Sequence, residues 1–426
     1  MTTPADYRIL NEAGLRSYLA GFPAVGARLG GAASTWSIAE VGDGNLNLVF
    51  IVKGAKGGLV VKQALPYVRL VGESWPLPLS RSHYECLALR RQGELAPGRV
   101  PAVFHQDESL ALIVMQLLEP HIIMRKGLIA GTHYPRFVDH ISDFLSRTLF
   151  LTSDLAVPAA EKKQGIAAFA GNSALCRITE DLIFTDPYRL AEQNRWTSPW
   201  LDEAAAGFRR DLEAHLAISR LKLKFLAGPE ALIHGDLHTG SIMVTATDSQ
   251  IIDPEFAFYG PMGFDIGAVL SNLLMAYFAA AGHERTPGAR GDFERWLLAT
   301  VEDVWTAFRR KFLDLWRRQA KGDAYPATLF EGADGAACLE AERDRYMENL
   351  FRDTVGFSAA KIIRRIFGLA HNADFETIAD AKLRATCEAR SLRLARRMLV
   401  ETAGFPSIGA VTAAARELRD WRPAFA

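Results

Sequence analysis

The residues best suited to chemistry are concentrated in one stretch, His234-Gly235-Asp236-Leu237-His238-Thr239-Gly240-Ser241, between the apolar runs Ala231-Leu232-Ile233 and Ile242-Met243-Val244. Such flanks read as buried strands holding a polar loop. A second acidic loop, Asp253-Pro254-Glu255, follows the apolar pair Ile251-Ile252 seventeen positions after Asp236. In an extended backbone the side chains of Asp253 and Glu255 point to the same side, so the spacing predicts two carboxylates able to share a hard cation such as Mg²⁺. Asp236 is then left to orient a hydroxyl and accept its proton, the division of labour that phosphoryl transfer requires. Taken singly, each of these residues is as readily a turn cap or an ordinary hydrogen-bonding side chain. Two acidic loops on consecutive apolar strands argue for a site.

Elements upstream supply what such a site needs to position it. Candidate strands run from Trp36 to Val41, Leu48 to Val52, Leu59 to Gln63, Val100 to His105 and Leu110 to Leu117, with connections short enough for antiparallel hairpins. The turn Gly42-Asp43-Gly44-Asn45 lies between the first two, where glycines let backbone N–H groups approach phosphate; by itself it reads equally as a plain hairpin. Lys62 sits on a strand with apolar neighbours, either as a snorkelling charge or as a phosphate ligand. A helical segment from Ser80 to Gln92 carries Glu85, 23 residues on, as the natural ion-pair partner of Lys62. An opening helix is expected over Asp6 to Tyr18. Beyond Glu119-Pro120 long amphipathic segments dominate: Arg136 to Thr152, Pro187 to Arg195, Asp202 to Phe225, Asp265 to Ala281, Arg290 to Gln319, Ala337 to Ala370 and Phe375 to Thr402. The expected division is a sheet lobe over residues 1–118 and a helical lobe over 119–426, joined near Gln116 to Glu119, with a cleft between them.

The 426 residues balance 49 Lys+Arg against 49 Asp+Glu, which argues against a protein that coats nucleic acid or anionic membrane. Four scattered cysteines match neither a zinc site nor a disulfide framework, and a reducing cytoplasm fits them best. The N-terminus has no secretory or lipidation pattern. The apolar stretch Ile266 to Gly282 is shorter than the ~20 residues a bilayer requires and reads as a buried helix.

The loop from His234 to Gly240 resembles the catalytic loop of the aminoglycoside phosphotransferase and choline kinase group of the protein-kinase-like fold. Ser241 stands where most of that group has a metal-binding Asn, and Asp253-Pro254-Glu255 replaces Asp-Phe-Gly; both departures resemble the 5-methylthioribose kinase family, as does the run Asp253 to Pro261. The resemblance implies an α+β, two-lobe kinase fold and an ATP-dependent transfer to the 1-hydroxyl of 5-methylthioribose in methionine salvage, by a cytoplasmic homodimer. It implies a base at Asp236, Mg²⁺ on Asp253 and Glu255, and nucleotide contacts from Gly42, Asp43, Gly44, Asn45, Lys62, Glu85 and the hinge residues Gln116 and Leu118. Asn45 is also expected to reach the sugar. Arg364-Arg365 reads from its pattern as a solvated basic edge of a helix; the resemblance reverses that, because the family carries twin arginines at its active site. It also implies that Asp265 braces the catalytic loop, and the Trp75 loop, Val71 to Leu77, is similar to the family's tryptophan-bearing loop, reading equally as a lid over the nucleotide and as a surface loop whose Trp packs on the following helix. Met124-Arg125-Lys126-Gly127 matches a family segment without an assigned role. The rivals are a phosphotransferase for an aminoglycoside, choline or homoserine, and a catalytically silent nucleotide-binding scaffold.

Overall fold

A computed structural model of the chain describes residues 4–42, 46–69 and 72–425. Alternating apolar residues in the N-terminal part build a five-stranded antiparallel sheet. In spatial order its strands are Ser37–Glu40, Asn47–Lys53, Gly58–Ala64, Leu112–Gln116 and Val103–Asp107. Lys62 faces Val49 on one neighbouring strand and Ile113 on the other. Because side chains alternate, Leu59 and Val61 enter a core shared with Leu15, Leu19 and Leu29 of two N-terminal helices, while Lys62 points to the opposite face. There the helix Arg81–Leu95 presents Arg81 and Glu85, which at i and i+4 share one side.

The remainder is mainly helical, so the molecule has the two-lobe, kinase-like arrangement expected of its sequence. Its core is dense in aromatic rings. Phe264, Phe308, Phe312 and Phe357 are wholly buried, each with a transfer free energy of roughly 1.5–3 kcal/mol. The helix Met262–Ala280 is buried on every side and runs through the middle of this core. With the turn that follows it is long and apolar enough to cross a bilayer, but 94% of its most apolar window is buried inside the protein. It crosses the long helix Gly332–Phe367 at two glycines: a Cβ on Gly263 would lie 2.9 Å from the Thr354 nitrogen, and one on Gly267 2.8 Å from the Ser358 nitrogen.

Several helix bounds differ from expectation for local reasons. The opening helix is Glu12–Ala20, because Asn11 caps it by accepting from the Gly14 N–H. The segment expected over Asp202 to Phe225 is two helices, Asp202–Arg210 and Leu212–Ala227, broken where Asp211 turns extended and caps the second. Phe375 to Thr402 is likewise split, into Ala373–Glu376 and Ala381–Val400, with Asp380 as the cap. Pro187 to Arg195 is not a helix beyond the single turn Asp186–Tyr188: the Asn194 amide donates to the Asp186 and Arg189 carbonyls and holds the chain in a loop. Helices Met124–Ala130, Ala159–Phe169, Ser173–Phe184 and Ile408–Leu418 were not expected.

Candidate active site

Between sheet and helices lies a cluster of opposite charges. Lys62 donates to Glu85 Oε1 at 2.9 Å and also pairs with Asp253, joining the sheet to the second acidic loop. One carboxylate oxygen from each of Glu85, Asp253 and Glu255 falls within 4.8 Å of the others. Burial lowers the Lys62 pKa, but Asp253, Glu85 and Glu255 more than reverse this, so the ammonium stays charged. Burial and mutual repulsion raise Glu255 and Glu85 despite Lys62. Three carboxylates thus face two cations, Lys62 and Arg81, whose Nε lies 3.7 Å from Glu255 Oε2. That all-oxygen set of three carboxyl groups fits a hard divalent cation, which would favour their ionised forms.

The second acidic loop is not extended as expected. Asp253 has a left-handed backbone, φ 70°, and Glu255 enters a turn closed by the Ala257 N–H on the Pro254 carbonyl. The carboxylates converge through this twist rather than through i, i+2 alternation. Asn47 donates to Glu255 Oε2 at 2.8 Å, and the Asn172 amide holds the Glu255 and Ala257 carbonyls from behind.

The two loops are locked together. His234 Nε2 donates to the Ile252 carbonyl at 2.9 Å, and Gly235, at φ 85°, packs where a Cβ would sit 2.2 Å from the Phe256 carbonyl oxygen. Asp265 accepts from the His234 and Gly235 N–H groups at 2.6 and 3.0 Å, the bracing position expected of it. Downstream, Asp236 projects toward the helix Gly332–Phe367. Its Oδ1 lies 3.4 Å from Lys361 Nζ and 3.9 Å from Arg365, and its Oδ2 3.4 Å from His238 Nε2.

Desolvation would raise the Asp236 pKa, but His238, Lys361, Arg365 and Arg364 hold it well below the usual carboxylate range. His238 is itself pushed well below the ordinary histidine value by burial, against the attraction of Asp236 and with added repulsion from Arg365, Arg125 and Lys361. It is therefore neutral at pH 7, and the cations acting on Asp236 there are Lys361, Arg365 and Arg364.

Arg364 and Arg365 each donate to the Ala370 carbonyl, at 3.3 and 3.4 Å, and both turn toward Asp236 rather than solvent. Arg364 Nε is buried with no hydrogen-bond partner among the described residues. Beside Asp236 and Arg364 a cavity of about 20 Å³ is walled by Phe256, Ile178, Leu182 and Ile183. Arg125, a further cation acting on this region, lies 3.4 Å from Asp374 and 3.1 Å from Asn272 Oδ1.

The remaining expected residues fall around this centre. Gln116 ends the strand Leu112–Gln116 opposite Leu59, and Leu118 is buried in the link that follows. Gly42 lies in the turn after the first strand, while Asp43, Gly44 and Asn45 lie outside the described residues. Trp75 is on a short strand, Gly72–Pro76, paired with Tyr67–Val68, instead of on an irregular loop; Val71 lies outside the described residues. Sequence reasoning missed Arg81, Asn47, Asn172, His238 as an Asp236 contact, and Lys361. Arg81 was within reach of it, four residues before Glu85 on one helix.

Comparison with known proteins bears on the same chemistry. Residues 37–310, more than half the chain, match the model of the phosphotransferase enzyme family. Methylthioribose kinase 1 of Oryza sativa subsp. japonica is 48% identical over 95% of this chain and 94% of that protein. A methylthioribose kinase of Escherichia coli O45:K1 (strain S88 / ExPEC) is 42% identical over 97% and 98%. Among solved structures, a choline kinase from Cryptosporidium parvum Iowa II aligns with a TM-score of 0.46 and 12% identity over 93% of this chain and 98% of that one, and adds nothing to the assignment. On the sequence matches, the chain belongs to the phosphotransferase enzyme family and, within it, to the methylthioribose kinases.

Proposed function

We propose that the protein transfers the γ-phosphoryl group of ATP to the 1-hydroxyl of 5-methylthioribose, giving the 1-phosphate and ADP, as a cytoplasmic step of methionine salvage. The observation that carries this reading is Asp236, an ionised carboxylate ringed by Lys361, Arg364 and Arg365, on a loop bonded to the one bearing Asp253 and Glu255. Asp236 accepts the proton of the sugar hydroxyl as its oxygen bonds to phosphorus and the bond to ADP breaks. Arg364 and Arg365 neutralise charge on the phosphoryl oxygens in transit. Lys62, fixed by Glu85, contacts the nucleotide phosphates, Gly42 is a further nucleotide-binding residue, and the link from Gln116 to Leu118 meets the base. Asp253 and Glu255 would hold Mg²⁺, which supplies further neutralisation of phosphate charge.

The cations around Asp236 favour an uncharged acceptor over an aminoglycoside or choline, which they would repel. A coupled ADP-release assay offering methylthioribose, kanamycin, choline and homoserine in parallel tests the reading. Methylthioribose is expected to give the highest kcat/KM, and a higher value for any of the others would overturn it.

A homodimeric assembly belongs to the same proposal. Leu212, Leu216, Leu223 and Leu226, 77, 55, 65 and 57% exposed, form one outward stripe on the helix Leu212–Ala227. Such a stripe is self-complementary when two copies pair antiparallel across a two-fold axis. Sedimentation of Leu216→Glu/Leu223→Glu is expected to give a monomer where the parent gives a dimer; a parental mass of one chain, or an unaltered dimer, rejects the stripe.

A further inference from the structure

One cation near Asp236 has no part in the sequence pattern. Lys361 lies one helical turn before Arg364 and Arg365, is 3% exposed, and has its Nζ 4.0 Å from the centre of the Phe264 ring and 3.4 Å from Asp236 Oδ1. An ammonium over an aromatic face gains attraction from the ring quadrupole and is restricted in where it can point. Phe264 is wholly buried and belongs to the helix that carries Asp265, the brace of the catalytic loop. Lys361 therefore connects the long helix, the central helix and the carboxylate of Asp236.

We propose that Lys361 is a positioning residue for phosphoryl transfer: held between the Phe264 ring and Asp236, it fixes the orientation of that carboxylate and keeps it ionised for the sugar hydroxyl. The inference rests on Asp236 as the base, and extends that reading to a residue with no place in the catalytic or metal motifs. Arginine would serve less well here. A planar guanidinium spreads its charge over a fork, whereas the ammonium is a compact charge that fits between one ring and one oxygen. Burial, with Arg364 and Arg365 adding repulsion against the attraction of Asp236 and Asp265, pushes the Lys361 pKa down to about 8, so the residue is mainly charged at pH 7. The groups facing Asp236 are His238 on its own loop, Lys361, Arg364 and Arg365 on the long helix, and Arg125 from the helix Met124–Ala130. Loss of Lys361 thus removes one cation of several and leaves the base present but less well held.

The test is the pH dependence of kcat for Lys361→Met and Lys361→Gln, measured on whichever acceptor of the ADP-release panel the parent turns over. A wrong substrate then shows in the parent, and a wrong role for Lys361 only in the variants. Lys361→Met is expected to lower kcat by about 10²-fold with the KM for ATP and sugar changed less than about threefold, and to move the acid limb of the profile upward, because Asp236 has lost a stabilising charge. Lys361→Gln, which keeps a hydrogen-bond donor, is expected to recover part of the plateau while keeping the shifted limb, and it serves alone if the methionine variant does not fold. A parental kcat and acid limb in either folded variant overturns the proposal. So does a loss confined to the sugar KM, which would make Lys361 a binding residue.

Discussion

The two ends of the cleft are built on opposite plans. At the end proposed for the nucleotide two cations, Lys62 and Arg81, stand among three carboxyl groups; at the end proposed for the acceptor one carboxylate, Asp236, stands among Lys361, Arg364 and Arg365. The first arrangement has a surplus of carboxyl groups whose ionised forms a divalent cation would favour, and the second an excess of positive charge that suits a phosphoryl group in transit. On the proposed reading the two clusters answer the two ionic components of the reaction, on loops that a hydrogen bond from His234 to the Ile252 carbonyl holds together.

The contrast is most directly broken at its single carboxylate. Asp236→Ala is expected to lower kcat by about 10²–10⁴-fold while calorimetry still detects ATP binding; unchanged turnover would remove Asp236 as the base. Next comes a cation: Arg365→Met should cost about 10²-fold or more in kcat, and an effect restricted to sugar KM would shift its role from transition state to binding. At the other end Glu255→Gln should raise the Mg²⁺ concentration for half-maximal rate by about 10–100-fold, whereas an unaltered metal titration counts against the metal assignment.

Gly235→Ala affects both ends, since it forces a side chain toward the Phe256 carbonyl at a left-handed position; a loss of about 1–3 kcal/mol in denaturant unfolding is expected, and parental stability would contradict the close packing of the loops. The smallest effect concerns pH. The depressed pKa of Asp236 means that its ionised form, and the stability it contributes, is present above the unfolded value near ~3.9 and lost only as pH falls through the lower folded value. The parent kcat should therefore show no Asp236 limb between pH 8 and about 5, and a base titrating near pH 6 would refute the cationic surround.

Sheet, helical lobe and the three acidic residues were legible because period-2 and helical patterns bracket them, and because Asp236, Asp253 and Glu255 leave apolar strands close in sequence. The local backbone was not. The left-handed turn at Asp253 and the caps at Asn11, Asp211 and Asp380 depend on single polar side chains bonding to nearby N–H groups, which compete with the hydrophobic periodicity. Arg364 and Arg365 read from pattern as a solvated edge, because adjacent side chains on a helix diverge; only packing brings both toward Asp236. Lys361 was hidden for a related reason. Its neighbours Ala359, Ala360, Ile362 and Ile363 are all buried, and nothing in their order marks the helix side that meets a carboxylate 125 residues away.

The crossing at Gly263 and Gly267 bears on evolution as well as on packing. The helix carrying Lys361, Arg364 and Arg365 and the helix carrying the brace touch backbone to backbone there, so the gap between Asp236 and its guanidinium neighbours is gauged by two absent methyl groups. A single added carbon at position 267 would act as a shim, detuning turnover without altering any residue that a ligand meets.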